Sequence, residues 1–281
     1  MPADLQQILV HFDPTRAAAR RFAAACAVAK QMQASLAALY AATPSFAELP
    51  YAPAIGGPGL SASLVEIDGR RRGQAQKVFE EAQRACGIEV AWAQTSQVPI
   101  TDAFAQQALF ADLLVLGQRD PDDDDAAAVP TDFVESVLLA CGRPALIVPH
   151  IGAPATIGST VAIAWKETPE AARAVKAALP FLRQAKRVHV LSWGEDTPAA
   201  VGGQALDLES YLDAHGVRFT WDRAGAERQQ IGELLLSRAF DLGADLLVMG
   251  CYGHSRAREW ILGGASRTIL ESMTLPVLMM H

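Results

Sequence analysis

The amino-acid sequence predicts two tandem α/β domains, each built on a doubly wound parallel sheet. Three observations carry that expectation. One pattern is written twice: ADLLVLG at 111–117 and ADLLVMG at 244–250 stand 133 residues apart (250 − 117), and Pro144 and Pro276, each opening a short apolar strand, stand 132 apart (276 − 144). Self-similarity at the length of a whole domain marks a duplicated fold. Short apolar runs alternate with segments of helical period, which is how βαβ units and a sheet covered on both faces are written. The length, 281 residues, suits two domains at about 150 residues each.

In the first half the strands read ILVHFD (8–13), SLAALYA (35–41), EVAWAQT (89–95), ADLLVLG (111–117) and Ala145–Val148. An alanine-rich helix follows Thr15, and further helices fall near 63–86 and 99–110. The Pro/Gly-rich stretch 43–60 supplies most of the extra residues of this half and reads as a surface loop. In the second half the continuous apolar run Val161–Trp165 suits a strand buried on both faces. Thr168-Pro169 supplies a side-chain oxygen at a helix N-cap and a preset φ at the first helical position. Ala171, Val175, Ala178 and Leu182 then form one inward face. VHVLSW (188–193), a helix near 203–215, VRFTWD (217–222) and a helix near 228–242 with Ile231, Leu234, Leu235 and Ala239 inward lead to the second ADLLVxG. A last helix starts near Ser266, with Ile269, Leu270 and Met273 at helical spacing, and Pro276 opens the final strand. The boundary falls near Ile151–Ser159, giving domains 1–152 and 153–281.

Composition excludes several classes of function. Lys and Arg total 24 against 31 for Asp and Glu, a net charge of −7, so nucleic acid is not an expected partner. With 51% hydrophobic residues the chain is not of the disordered class. No apolar run reaches the roughly 18 residues of a membrane span, no signal segment is evident at the amino terminus, and the expected location is the cytoplasm. Cys26, Cys86, Cys141 and Cys251 stand without a CxxC pair. They read as small buried hydrophobes, not as a disulfide framework or a zinc knuckle.

Ligands of an open parallel sheet bind at the carboxyl ends of the strands, near the point where strand order reverses. In the second half two segments meet there: the tip at Trp165-Lys166, and the segment Gly250-Cys251-Tyr252-Gly253, nine residues, then Gly263-Gly264-Ala265-Ser266. Glycines let backbone approach an anion, and the N–H groups of a helix start carry positive partial charge. The segment reads as a phosphate cradle; the bland alternative is a tight turn without a ligand.

The spacing G-x2-G-x9-G after a strand and before a helix, together with the doubled ADLLVxG, resembles the universal stress protein family over nearly the whole chain. The resemblance implies a tandem member with the universal stress protein, adenine nucleotide alpha hydrolase-like fold, its halves packed as an intramolecular pseudo-dimer through Ala145–Val148 and Val277–Met280. It leaves further dimerisation and an unknown protein partner open. It also implies ATP or a related adenine nucleotide held by Trp165, Lys166, Gly250, Gly253, Gly263, Gly264, Ala265 and Ser266. Lys166 stands where nucleotide-binding members carry an Asp that helps hold the adenine, and Gly264 where they carry Ser or Thr. Asp13 matches that Asp in the first half, but no second glycine follows Gly117. Five of the six residues 120–125 are aspartates, which repel a triphosphate.

No catalytic residue and no metal site are assigned. The acidic run reads as a solvated loop, since the Gly and distal Glu of an EF-hand are absent, and His150 and His281 read as structural. Two other functions remain: a nucleotide-free adaptor acting through protein–protein contacts, and an esterase-type hydrolase at Ser255. The latter is disfavoured because Ser255 lies five residues past Gly250, not at the strand tip that a nucleophile elbow needs.

Overall fold

The computed structural model describes residues 5–48, 52–152, 154, 156–193, 206–224, 231–251 and 264–281. The chain divides into two compact units, Met1–Gly152 and Ala153–His281. The first runs β1 (Gln7–Phe12), α1 (Ala18–Met32), β2 (Ser35–Ala41), α2 (Ser45–Glu48), α3 (Ala52–Cys86), β3 (Val90–Thr95), α4 (Ile100–Ala108), β4 (Leu113–Gly117), α5 (Phe133–Cys141) and β5 (Ala145–Val148). Its strands lie in the order β3-β2-β1-β4-β5, each pair parallel. The second runs β6 (Thr160–Trp165), α6 (Pro169–Leu182), β7 (Arg187–Trp193), α7 (Leu208–Ala214), β8 (Thr220–Ala224), α8 (Ile231–Asp241), β9 (Leu246–Gly250), α9 (Ala265–Ser272) and β10 (Val277–Met280). The same order recurs as β8-β7-β6-β9-β10, again parallel.

Ile8, Val10 and Phe12 of β1 and Val161, Ala162 and Ile163 of β6 are wholly buried, because each central strand is flanked by two others and covered by helices on both faces. The aspartate of the doubled motif has one task in both units. The Asp112 carboxylate accepts the N–H groups of Gln6 and Gln7 at 2.9 and 3.0 Å. Asp245 accepts those of Gly158, Ser159 and Thr160 at 3.0, 3.1 and 2.9 Å. Each thus satisfies backbone donors where the chain enters the central strand. In α6 the Thr168 hydroxyl accepts the Ala171 N–H, Pro169 opens the helix, and Ala171, Val175, Ala178 and Leu182 all face the core.

An aromatic cluster fills one side of the first unit. Trp92 stacks on Phe79 at 4.5 Å between ring centroids and meets Phe12 at 5.4 Å and Tyr40 at 6.1 Å, while Phe22 meets Phe79 at 5.3 Å.

Three expectations need correction. The stretch 43–60 is not a plain loop: α2 occupies Ser45–Glu48, and α3 begins at Ala52, eleven residues before the expected start at 63. Glycine and proline weigh against a helix only as a local prior, and the buried Leu64, Ala75 and Phe79 give this helix tertiary contacts that override it. The cysteines are not all inert hydrophobes. Cys26 of α1 and Cys86 at the end of α3 form a disulfide across 60 residues of sequence, and Cys141 is half-buried. The acidic run is not simply solvated. Asp123, 7% exposed, accepts the Arg16 N–H at 2.7 Å and the Asp125 N–H at 2.9 Å, and Asp125 pairs with Arg71 at 3.0 Å. A buried carboxylate persists only with such partners.

Among the described residues no helix is long and apolar enough to cross a membrane, and no cluster of three or more His, Cys, Asp or Glu could hold a metal ion.

Candidate functional site

In both units the strand order reverses beside the central strand, at β1/β4 and at β6/β9. The register Val10↔Val115 and Ala164↔Met249 brings the tips of these strands level. Asp13 and Gly117 therefore flank the first crevice, and Lys166 and Gly250 the second.

The first crevice is filled from within. Asp13 and Arg21 are 2% and 4% exposed, and Arg21 Nη2 donates to Asp13 Oδ2 at 2.7 Å while Arg21 Nε donates to the His11 carbonyl at 2.7 Å. The other Asp13 oxygen accepts the Thr15 N–H at 2.9 Å and the Thr15 hydroxyl. His11, also buried, meets the Ala41 carbonyl through Nε2 at 2.8 Å; its Nδ1 stands 3.5 Å from Asp13, beyond a good hydrogen bond. Burial holds the His11 imidazole down to about 4; Asp13 opposes this and Arg21 reinforces it. Burial alone would raise the Asp13 carboxyl, but Arg21, His11 and the Thr15 hydroxyl keep it below the usual carboxylate range. The guanidinium of Arg21 also lies against Gly117, so closely that a Cβ there would overlap it. The Asp13 oxygens and the space over Gly117 are thus both taken by the protein's own groups.

The second crevice differs at each of these points. Ala174 stands where Arg21 stands, since 174 lies as far past 166 as 21 lies past 13. Trp165 ends β6 half-buried, and Lys166 follows it exposed on the tip. Gly250 ends β9 with its Cα pressed on the start of α6. A Cβ there would lie 2.5 Å from the Ala171 nitrogen and 2.6 Å from the Glu170 carbonyl carbon. Its lack of a side chain is therefore demanded by packing, whatever binds nearby. Gly250→Ala should cost about 1–3 kcal/mol through overpacking against backbone, read as a lower urea midpoint with an unchanged slope.

Gly264 is the N-cap of α9 with φ −59° and ψ 161° and no side-chain cap; Ala265 opens the helix, and Ser266 is buried in its first turn. The amino-terminal N–H groups of α9 thus carry the positive end of the helix, and among the described residues no carboxylate or hydroxyl caps them. Gly253, Gly263 and Ser255 lie outside the described residues.

Sequence reasoning gave no role to Glu170. Its Oε1 accepts from Arg173 at 3.0 Å, and its Oε2 is buried without a partner among the described residues. Burial pushes this carboxyl up; its own N–H at the helix start, Arg173, the Thr168 hydroxyl and His281 outweigh that and hold it ionised below its ordinary range. A negative charge therefore already occupies the start of α6. His281 is tied into the same edge: its carbonyl accepts from Arg173 at 3.0 Å, and its Nδ1 lies 3.2 Å from the Cys251 carbonyl. His150 lies 3.6 Å from Asp120. Both ring contacts involve groups of the protein itself.

No family model and no curated sequence matches the chain. Solved structures do. A universal stress protein from Archaeoglobus fulgidus DSM 4304 superposes with a TM-score of 0.68 at 15% identity, covering 98% of this chain and 95% of that one. A functionally unknown protein from Pseudomonas aeruginosa PAO1 superposes with a TM-score of 0.55 at 16% identity, covering 98% and 92%. The chain therefore has the tandem fold of a universal stress protein over nearly its whole length.

Proposed function

We propose that this chain acts as a universal stress protein in the cytoplasm, with a single site for ATP or a related nucleotide in its second unit and none in its first. The observation that carries the reading is the contrast between the two crevices. In the first, the buried Asp13–Arg21 pair spends the carboxylate and fills the space over Gly117. In the second, the same positions hold the exposed Lys166 and a small alanine, and the N-cap of α9 is Gly264, which supplies no side-chain cap. Lys166 places a cation at the strand tip where the first unit has the carboxylate of Asp13, so affinity should depend more on phosphate than on base.

Calorimetric titration with ATP, ADP and AMP tests this. At most one equivalent should bind per chain, with affinity rising with phosphate number, and two equivalents would overturn the reading. Lys166→Ala should weaken ATP by roughly tenfold to a hundredfold, the equivalent of about 1.5–3 kcal/mol for a charge-assisted contact. Adenosine should be affected less, and equal losses for both would remove Lys166 from the phosphate end.

A second reading is a nucleotide-free adaptor acting through protein–protein contacts. It is supported by Phe110 and Phe240, both 79% exposed, in the segments that lead into β4 and β9. Large apolar side chains left in water suit a docking surface. No binding by any of the three nucleotides would select this reading.

A further inference from the structure

β3 stands at the end of the first unit's strand order, and among the described residues it pairs with β2 alone. The pairing is continuous, each residue from Val90 to Thr95 facing a partner from Leu36 to Ala41, so the strand carries no bulge. Alternate residues of such a strand turn their N–H and C=O groups away from the neighbour they pair with. These groups face outward at β3. Natural sheets blunt an edge of this kind with Lys, Pro, a bulge or an inward-pointing charge. β3 reads Val-Ala-Trp-Ala-Gln-Thr and carries none of them. The duplicated fold supplies the comparison. β8 holds the same place in the second unit, paired with β7, and it is charged: Asp222 is held by Arg238, and Arg223 lies over the Trp221 ring, 4.7 Å from its centroid.

Two further features sit at opposite ends of β3. Before it, Ile88 joins Glu80, Gln83 and Arg84 of α3 in lining an open depression of about 460 Å³. After it, Val98 stands 44% exposed. Ile88 and Val98 lie equally far from Ala93, since 93 − 88 = 98 − 93. Ala91 and Ala93 are exposed on the face opposite the one by which Trp92 stacks on Phe79. An antiparallel twofold pairing about Ala93 sets Ala93 against its own copy, Ala91 against Thr95 and Trp92 against Gln94. No like charges meet along the strand. That matters for a chain of net charge −7, whose copies repel each other over most of their surface. Any extended strand can satisfy the outward backbone groups. A second copy also brings Val98 to the depression at Ile88, because the twofold axis exchanges the two ends of the edge.

We propose that β3 is the docking edge for a second copy of this chain, paired antiparallel about a twofold axis through Ala93. The contact is isologous, so it closes at two copies and leaves no free edge there to propagate. A six-residue strand and one depression make a small interface, and the association is reversible and concentration-dependent. It is independent of any nucleotide in the second unit.

The test uses the full chain. Sedimentation equilibrium should show a reversible monomer–dimer equilibrium. Ala93→Lys places two ammonium groups opposite each other at the axis and should raise the dissociation constant roughly tenfold or more, with circular dichroism unchanged. Val98→Glu sets a carboxylate against Glu80 of the depression and should weaken the dimer as well. Under mild oxidation Ala93→Cys should give a covalent dimer on a non-reducing gel, since directly opposed Cβ atoms stand about 4.5–5.5 Å apart. Gln94→Cys, which faces Trp92 of the other copy, should not. A chain monomeric at every concentration, a dimer indifferent to Ala93→Lys, or equal cross-linking from positions 93 and 94 would each overturn the proposal. A monomeric chain whose tryptophan emission shifts on addition of an unrelated extended peptide would give the edge to a foreign strand and exclude the second copy.

Discussion

Arg21→Met should destabilise the first unit by about 3–5 kcal/mol, the usual cost of removing one partner from a buried ion pair. The side chain is nearly isosteric along its stem, so little of the loss comes from a cavity. The loss comes instead from what is left behind. Asp13 remains buried with only Thr15 and a distant His11 as partners, and the His11 carbonyl loses its donor. Urea unfolding followed by circular dichroism measures the loss. The second half of the cycle, Asp13→Asn with Arg21→Met, should recover much of it, because the uncompensated charge is then gone. A single-variant loss below about 1 kcal/mol would show that water reaches the pair, since exposed ion pairs contribute only about that much.

Acidification should act on the same cluster well above the carboxylate range. His11 binds its proton only near pH 4 in the folded protein and near 6.5 in the unfolded chain. Between these values the unfolded state holds more protons, so stability rises with pH there. The contribution is complete above about 6.5 and is lost as pH falls toward 4. The difference of about 2.5 units corresponds to about 3 kcal/mol at 1.36 kcal/mol per unit. Asp13, whose folded value is also lowered, loses its contribution only below the unfolded carboxylate value of about 3.9. The window between pH 4 and 6.5 therefore separates the imidazole from Asp13. His11→Gln, which can still donate to the Ala41 carbonyl, should flatten the stability profile in that window, and His189 contributes equally to both curves. A wild-type profile no steeper than that of His11→Gln would remove His11 from the account.

Much of this architecture could be read in one dimension because the relevant forces are local or periodic. Val161–Trp165 is a strand because it is uniformly apolar, Thr168-Pro169 caps a helix because the two residues are adjacent, and the doubled ADLLVxG announces equivalent strands. What escaped depends on residues far apart. The Cys26–Cys86 bridge needs two helix faces to meet, and Asp123 is buried because Arg16 supplies donors to it across the fold. The helical course of α3 from Ala52 was hidden because glycine and proline argue locally while Leu64, Ala75 and Phe79 anchor the helix at a distance. Arg21 did leave a signal. It falls on the inward stripe of α1 with Ala18, Phe22, Ala25, Val28 and Met32, and a guanidinium on an apolar face calls for a buried carboxylate. At the candidate site the sequence singled out Gly250, Gly264 and Lys166, but it could not separate a glycine demanded by packing from one suited to a ligand. The 2.5 Å at which a Cβ on Gly250 would meet the Ala171 nitrogen makes that distinction.

The aromatic cluster around Phe79 makes the two units optically distinguishable. The five tryptophans are residues 92, 165, 193, 221 and 260, so Trp92 is the sole indole of residues 1–152. It is stacked on Phe79 and flanked by Phe12 and Tyr40. Its emission colour reports the polarity of that packing, while the remaining indole emission arises wholly from residues 153–281. Subtracting the spectrum of Trp92→Phe from that of the intact protein yields a signal private to the first unit. A denaturant series recorded in both channels then shows whether the halves melt together or one outlives the other, in a single cuvette and without cutting the chain.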